Sequence, residues 1–539
     1  MNVHSLSMLF LIFIFFFIDF SFETLSKHSK SPVNNKRNFN AKIRERRNKK
    51  NIKIRKLEDE FEPTMTFGPL KIYIDLAEFN ETFPKNTDLN IDNFINAMYK
   101  SKEILEDFVE INSDNTGFID IDDTNEYSDY TSYLNEKYGI YNWTTYFDEN
   151  KKIKFDEYNF YIFAKFTELH EESSSVLLDD YYYTPVAGII LLNKNIQNLD
   201  KTKLTQDYLD ALMLHHFIRL IGFNYAISLD QFKFLPYEIS TDLYYLSLEE
   251  GHAFPNVINY ARKYFNCSRI ERIDLYEDQY LDSRGNYIEY EESDNYIVDL
   301  YWPKRLFLGE LLTKFDYPEE QVLSGFTLAF LDDLPYLRVI KNYTGGLMKF
   351  GKNKGCEFFF DNCGNSNVPS YTFANEFYLP NNEIIGGEPS CSSGRLSKTI
   401  YKLEDVVGTP NKIEYYLGNK DRAGPKYTNY CPIAQFEDNA DKMYNGRCSY
   451  LETTKEPERN EVFGNNSFCV LSSLTTSTSA SGDVKALCYE MVCSSKSLTI
   501  KIGDYYLVCP REGGKIKAEN FEGFLLCPDY NLICSSSSL

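Results

Sequence analysis

The chain has 539 residues, 43% of them hydrophobic, and that length suffices for about three domains with buried cores. Its formal net charge is −22, from 79 Asp and Glu against 57 Lys and Arg. Because so acidic a protein is repelled by phosphate groups, the charge excludes nucleic acids and anionic lipid surfaces as its main partners.

The N-terminus begins with an unbroken run of eleven apolar residues, Met8–Ile18, which ends at Asp19. Such a run is long enough for the core of a signal peptide and too short to span a bilayer. No Lys or Arg precedes it, so an uncleaved anchor stays an alternative. We predict that residues 1–22 are a signal peptide and that the protein is secreted or lumenal. The C-terminal ICSSSSL has no hydrophobic tail, and we therefore expect no lipid anchor.

A basic segment follows, with thirteen Lys or Arg and one acidic residue, Glu45, between Lys27 and Lys56. Its polarity and charge bias are typical of a disordered segment. Behind a signal peptide, we interpret residues 23–62 as a processed pro-like segment. Without residues 1–56, the rest of the chain holds 44 basic and 76 acidic residues, a net charge of −32.

The next part of the chain alternates strand and helix patterns. The predicted strands are Leu70–Leu76, Asn159–Phe166 and Pro185–Leu192, and the predicted helices are Ile91–Val109 and Thr205–Ile221. We expect a first subdomain over residues 63–223, a central subdomain over 224–355 and a Cys-rich C-terminal domain over 356–539.

The last predicted helix contains ALMLHHFIRLIGF, residues 211–223. By itself this string favours an ordinary amphipathic helix whose apolar residues pack inward. It can also be compared with H-E-x-x-H, in which two His one turn apart bind zinc and the Glu is the general base. In that comparison His215 keeps the first ligand position, whereas His216 and Arg219 occupy the Glu and second His positions.

All twelve cysteines lie in the second half of the chain. They are Cys267, Cys356, Cys363, Cys391, Cys431, Cys448, Cys469, Cys488, Cys493, Cys509, Cys527 and Cys534. An even number behind a secretion signal predicts disulfides, and the absence of any C-x2-C pair argues against a zinc ribbon. We predict six disulfides within Cys267–Cys534. Five glycosylation sequons agree with a lumenal route: Asn80, Asn142, Asn266, Asn342 and Asn465.

Several segments, in order, resemble the leishmanolysin family of metzincin zinc metallopeptidases. They are TPVAGIILLN (Thr184–Asn193), ARKYFNC (Ala261–Cys267), YWPKRLFLGELLT (Tyr301–Thr313), SGFTLAFLDDLPYLRV (Ser324–Val339) and the cysteine-containing segments NYCPI, CYEMVC, LTIKIGDYYLVCP and LLCPDYNLIC. The resemblance extends from about Phe67 to Cys534.

The resemblance assigns a role to five positions. It implies that the first zinc ligand is His215, that the base position holds His216, and that the second and third ligand positions hold Arg219 and Tyr301. The Met-turn methionine corresponds to Leu312. Catalytic zinc sites supply three protein ligands, and a guanidinium has no lone pair and repels a cation. We therefore expect no intact catalytic residue and no zinc.

A rebuilt metal site is the alternative. His170 and His252 are the spare imidazoles of the body, and Tyr301 and Asp299 are candidate oxygen ligands. Against that, we expect His215 to remain as a polar residue without a metal.

Arg219 is expected to point into the former metal cleft. There its guanidinium would pair with Glu310 or Asp299; otherwise the side chain would extend to water. We expect His215 and His216 at the rim of this cleft.

Together these features predict an α+β protein with the metzincin-type zincin fold: a twisted mixed sheet, a backing helix and a cleft helix, then a central domain and a disulfide-rich domain. We interpret the chain as a secreted pseudopeptidase. The alternatives are an active zinc metalloendopeptidase with non-standard ligands, or a cell-adhesion module that binds a protein or glycoprotein at the cell surface. The partner and the oligomeric state stay open.

Overall fold

The computed structural model describes residues 14–15, 66–85, 89–112, 118–120, 152–154, 158–167, 172–178, 185–194, 196, 206–223, 244–248, 254–277, 300–313, 320–340, 348–360, 388–401, 404–405, 422–424, 428, 431–435, 446–449, 459–475 and 483–534. The predictions for the basic segment, for most of the signal peptide, and for His170, His252, Asp299, Asn142 and Asn342 lie outside these residues.

A four-stranded mixed sheet forms the centre of the first half. Its order is Ile72–Asp75, Phe160–Thr167, Pro185–Asn193 and Glu172–Leu178. The first three strands run parallel and the last is antiparallel to its neighbour. Ala187–Leu192 is buried throughout, which matches the near-continuous apolar sequence of a strand covered on both faces. The three predicted strands are confirmed, although the first ends at Asp75 because helix Ala77–Thr82 follows.

One long helix, Ile91–Phe108, packs against a second helix, Gln206–Ile218, which we call the histidine helix. The side chain of Asn90 accepts a hydrogen bond from the N–H of Asp92 at 2.9 Å and caps the long helix. Its buried residues recur at helical spacing, as predicted: Phe94, Ala97, Met98, Ser101 and Leu105.

The central region is a set of short helices around a small sheet. The strands of that antiparallel sheet are Tyr244–Ser247, Arg272–Glu277 and Leu300–Tyr301. The helices are Pro255–Phe265, Lys304–Phe307, Gly325–Asp332 and Gly355–Phe360. A further sheet joins Phe67–Pro69, Val109–Asn112 and Leu337–Val339, and two pairs join Phe118–Asp120 to Lys152–Lys154 and Ile14–Phe15 to Glu320–Gln321. One hydrophobic core contains residues from both the first half and this region.

The last part of the chain is built on a six-stranded antiparallel sheet. Its order is Tyr505–Cys509, Leu498–Ile502, Lys485–Cys493, Ser467–Ser472, Leu525–Cys527 and Gly514–Ile516. The remaining elements are a sheet of Glu388–Cys391, Lys398–Tyr401 and Ala434–Gln435, a pair of Glu404–Asp405 and Arg422–Ala423, and helix Tyr530–Cys534.

Among the residues that the structure describes, five disulfides link ten cysteines, all in the second half of the chain. The pairs are Cys267–Cys356, Cys391–Cys469, Cys448–Cys488, Cys493–Cys534 and Cys509–Cys527. Cys431 is also disulfide-bonded, and Cys363 lies outside the described residues. This mixed α+β structure with its disulfides fits a protein of an oxidising compartment. Within the described residues, no helix is both long and apolar enough to cross a membrane.

Candidate functional site

The histidine helix ends at Ile218, and the chain continues through a π-helical turn, Arg219–Phe223. Every described side chain from Tyr208 to Phe223 is buried, so the helix is covered on all sides rather than amphipathic, as the string alone had suggested. A π turn within a helix often lies at a functional site.

Gly222 allows close packing at this turn. A Cβ atom at this position would lie 2.5 Å from Cδ1 of Leu334 and 3.3 Å from Cδ2 of Leu331. The glycine therefore lets the turn approach the segment after helix Gly325–Asp332.

His215 is only 4% exposed, and its Nδ1 lies 2.8 Å from the carbonyl oxygen of Leu311. Because a carbonyl can only accept, Nδ1 donates and carries the proton, and Nε2 keeps the lone pair. Burial lowers the pKa of His215 well below its usual value, and Arg219 and His216 lower it further. The imidazole is therefore neutral.

His216 lies beside His215, with ring centroids 5.6 Å apart and ring planes 87° apart. Its side chain is 5% exposed. Both histidines were expected at the rim of a cleft, whereas the structure buries both side chains.

Arg219 and Tyr301 are in contact although they are distant in sequence. The Cζ atom of Arg219 lies 4.6 Å from the centroid of the Tyr301 ring, which is a cation–π geometry. The same ring is stacked towards His215, with centroids 6.3 Å apart and planes 22° apart. The structure thus brings together the three side chains that the resemblance assigned to the ligand positions.

Arg219 is 3% exposed, so the alternative in which its side chain extends to water is wrong. Of the two predicted carboxylate partners, Asp299 lies outside the described residues. The other, Glu310, forms no ion pair with Arg219 among the described residues, since other groups bind it.

Glu310 is fully buried and anchors the turn that contains Leu312. Its carboxylate accepts hydrogen bonds from the Leu312 N–H, from Ser324 Oγ at 2.9 Å and from Thr327 Oγ1 at 2.5 Å. Burial raises the pKa of Glu310 to about 7, although these hydrogen bonds oppose the shift. Trp302 Nε1 donates to Thr327 Oγ1 at 3.0 Å and extends the network.

This network was not predicted as a unit, and it positions His215. Glu310 holds Leu312 in place, and the carbonyl of the preceding Leu311 accepts the Nδ1 proton of the imidazole. The sequence signal was the Glu in GELLT, which we had interpreted only as a partner for Arg219. Leu312 itself is fully buried in the hydrophobic core.

The residues present do not fit a zinc ion. His215 offers one nitrogen ligand, and the neighbouring position holds a buried cation, which would repel a metal. Throughout the part of the chain that the structure describes, no three His, Cys, Asp or Glu side chains are grouped as metal ligands.

A comparison with family models gives a match over residues 252–538, to the model described as leishmanolysin. That range includes Tyr301, Glu310 and Leu312, and it begins after the histidine helix. A comparison with curated individual proteins gives no match. The family match covers more than half of the 539 residues and carries the ordered cysteine and Tyr301–Thr313 segments. The chain therefore belongs to the leishmanolysin family of metallopeptidases.

Proposed function

We propose that this chain is a pseudopeptidase, a family member that retains the metzincin-type fold and does not hydrolyse peptides. The observation that supports this most directly is the Arg219 guanidinium, buried 4.6 Å from the Tyr301 ring beside His215. In the resemblance these are the three metal-ligand positions.

The chemistry of hydrolysis gives the physical reason. A zinc peptidase needs a metal-polarised water and a carboxylate that takes its proton. Here the Arg219 guanidinium occupies a ligand position. It brings a positive charge to the site but has no lone pair that could bind a metal ion. His216 replaces the carboxylate.

The test is a peptidase assay on the purified, disulfide-bonded chain with casein and gelatin. We expect no cleavage that phenanthroline abolishes. Chelator-sensitive turnover that His215→Ala removes would contradict the proposal and favour an active enzyme with non-standard ligands.

The remaining parts of the proposal concern the route and the partner. We propose that residues 1–22 direct the chain into the secretory pathway, that residues 23–62 are a pro-like segment, and that the mature protein is a secreted glycoprotein. Three of the sequons, Asn80, Asn266 and Asn465, are exposed in the described part of the chain and support glycosylation. Without hydrolysis, its role would be adhesion to a protein or glycoprotein, since the net charge of −22 disfavours nucleic acid.

A further inference from the structure

One edge of the C-terminal six-stranded sheet is formed by Tyr505–Cys509, which we call the edge strand. It pairs with Leu498–Ile502 on one side, and no described residue pairs with its other side. A two-residue turn joins the strands, and Gly503 at its first position has a φ of 58°, as a type II′ turn requires.

This hairpin determines which backbone groups face outward. In a two-residue hairpin the residues that flank the turn, Ile502 and Tyr505, form a hydrogen-bonded pair, and the pattern then alternates along the strand. The N–H and C=O groups of Leu507 therefore point towards the neighbouring strand, Leu498–Ile502. Tyr506 and Val508 direct theirs to the open edge.

The outward positions also have the most exposed side chains. Tyr506 is 62% exposed and Val508 is 64% exposed. Val492, which is 48% exposed, lies on the same face, because both valines are registered with Thr499. The edge thus combines open backbone groups with an exposed apolar face.

The opposite edge of the same sheet is protected. Its strand, Gly514–Ile516, has only three residues, contains Lys515, and begins where Gly513 and Gly514 have φ values of 74° and 114°. Charge, shortness and irregular backbone are the usual means of preventing edge pairing. The edge strand, with the sequence YYLVC, contains no charged residue, proline or glycine.

We propose that the edge strand pairs antiparallel with the edge strand of a second copy of this chain, about a twofold axis at Leu507. In this register the backbone N–H and C=O groups of Tyr506 bond to those of Val508 in the second copy. Val508 bonds in the same way to Tyr506 of the second copy, so the pairing has four N–H···O bonds. Pro510 has no N–H and ends the pairing.

Charge complementarity favours a second copy as the occupant. The strand is uncharged, so two copies do not repel each other along it. Asp504 precedes the strand and Arg511 follows it, so antiparallel pairing places the acidic residue at one end beside the end of the other copy that carries the basic residue, one position out of direct register. Such a strand pair buries less than the roughly 1,200–2,000 Å² of a stable interface, so the association is weak and concentration-dependent.

Sedimentation velocity on the purified full chain, from low to high micromolar concentration, tests this proposal. Two surface variants distinguish the register. Tyr506→Lys with Val508→Lys places Lys opposite Lys twice and should abolish the dimer. Tyr506→Lys with Val508→Glu places Lys opposite Glu twice and should retain it.

We expect the wild type and the Lys/Glu variant to approach twice the monomer mass and the Lys/Lys variant to stay monomeric, with equal melting temperatures as the control for folding. A wild type that is monomeric throughout overturns the proposal. So does a Lys/Lys variant that dimerises like the wild type, or a Lys/Glu variant that loses the dimer as fully as the Lys/Lys variant.

Discussion

At the scale of single residues, the main feature of the site is the buried Arg219 guanidinium, which we propose stands in place of a metal ion. A divalent ion needs several ligands with lone pairs, whereas a guanidinium needs an electron-rich face or acceptors. Tyr301 supplies such a face at 4.6 Å. Arg219 and Tyr301 are therefore physically coupled, because each creates a favourable environment for the other.

This coupling predicts the effect of changes at Tyr301. Tyr301→Leu removes the ring under the guanidinium and should lower the free energy of unfolding by about 1–3 kcal/mol, whereas Tyr301→Phe keeps the ring face and should change it little. Urea denaturation at neutral pH measures both. Equal losses for Leu and Phe would mean that the hydroxyl, and not the ring face, makes the contribution.

Glu310 gives a pH dependence. Its folded pKa is raised to about 7 from a usual value of 4.5, so the folded state binds its proton more tightly than the unfolded state. The stabilisation that the protonated Glu310 carboxyl gives to the folded state is complete below about pH 4.5. It is lost as the pH rises through about 7. Wild-type stability should fall across this window relative to Glu310→Gln, which cannot ionise.

Urea midpoints for the two proteins across that window provide the measurement. The comparison with Glu310→Gln is needed because burial also raises the pKa of Asp333, to about 6, and both proteins share that contribution. A difference between the two proteins that is constant with pH would show that the Glu310 carboxyl does not titrate on unfolding.

The residue scale is also where sequence reasoning fell short. The resemblance named His215, Arg219 and Tyr301, but not the cation–π contact, because pattern and period place a residue on an element and do not determine its side-chain neighbours. The assignment of Glu310 to Arg219 failed for the same reason. Its side-chain donors are Ser324, the N-cap of helix Gly325–Asp332, and Thr327, which lies in the first turn of that helix.

At the scale of elements, periodicity predicted three strands and two helices of the first half to within a few residues. The helix predicted over Ile91–Val109 ends at Phe108, and the strand predicted over Pro185–Leu192 ends at Asn193. The histidine helix differed more, since its last predicted residues form the π turn. The spacing of apolar residues does not distinguish an α-helix, with about 3.6 residues per turn, from a short π-helical turn. In the structure, the π turn packs against Leu331 and Leu334.

This packing predicts that Gly222→Ala destabilises the protein by about 1–3 kcal/mol, because the added methyl group would lie 2.5 Å from Leu334. Gly464→Ala is the matched control, since a Cβ there meets nothing within 4 Å. Thermal unfolding of the two variants gives the comparison. If Gly222→Ala and Gly464→Ala have the same melting temperature, the close contact between Gly222 and Leu334 does not determine stability.

At the scale of the whole molecule, the cysteines divide the chain in two. The half before Cys267 contains none, and its stability depends on the mixed sheet and the shared hydrophobic core. The second half holds all the disulfides, which matches the prediction from the sequence. Their pairing could not be predicted, because twelve cysteines allow many connectivities and spacing does not select among them.

Peptide mapping without reduction should recover Cys267–Cys356 and Cys509–Cys527 among the linked peptides. Mild reduction should expose the C-terminal sheet to proteases before the first half, since the chain before Cys267 contains no cysteine and so has no disulfide to lose. Free thiols at more than two of the twelve cysteines would contradict folding in an oxidising compartment.

Restoration of the family's ligand set gives a prediction for the whole site. Combining His216→Glu, Arg219→His and Tyr301→His should restore zinc binding more readily than peptidase activity, because the resemblance also places Leu312 where the family has the Met-turn methionine. Zinc titration and a casein assay on the same preparation separate the two. Activity that returns in full with the metal would mean that only these three positions had been lost.

The central claim is that Arg219 replaces the metal, and elemental analysis of the purified wild-type chain tests it most directly. We expect much less than one zinc per chain after incubation with zinc and removal of the excess, and the same result for His215→Ala. Close to one zinc per chain in the wild type, lost in His215→Ala, would contradict the account.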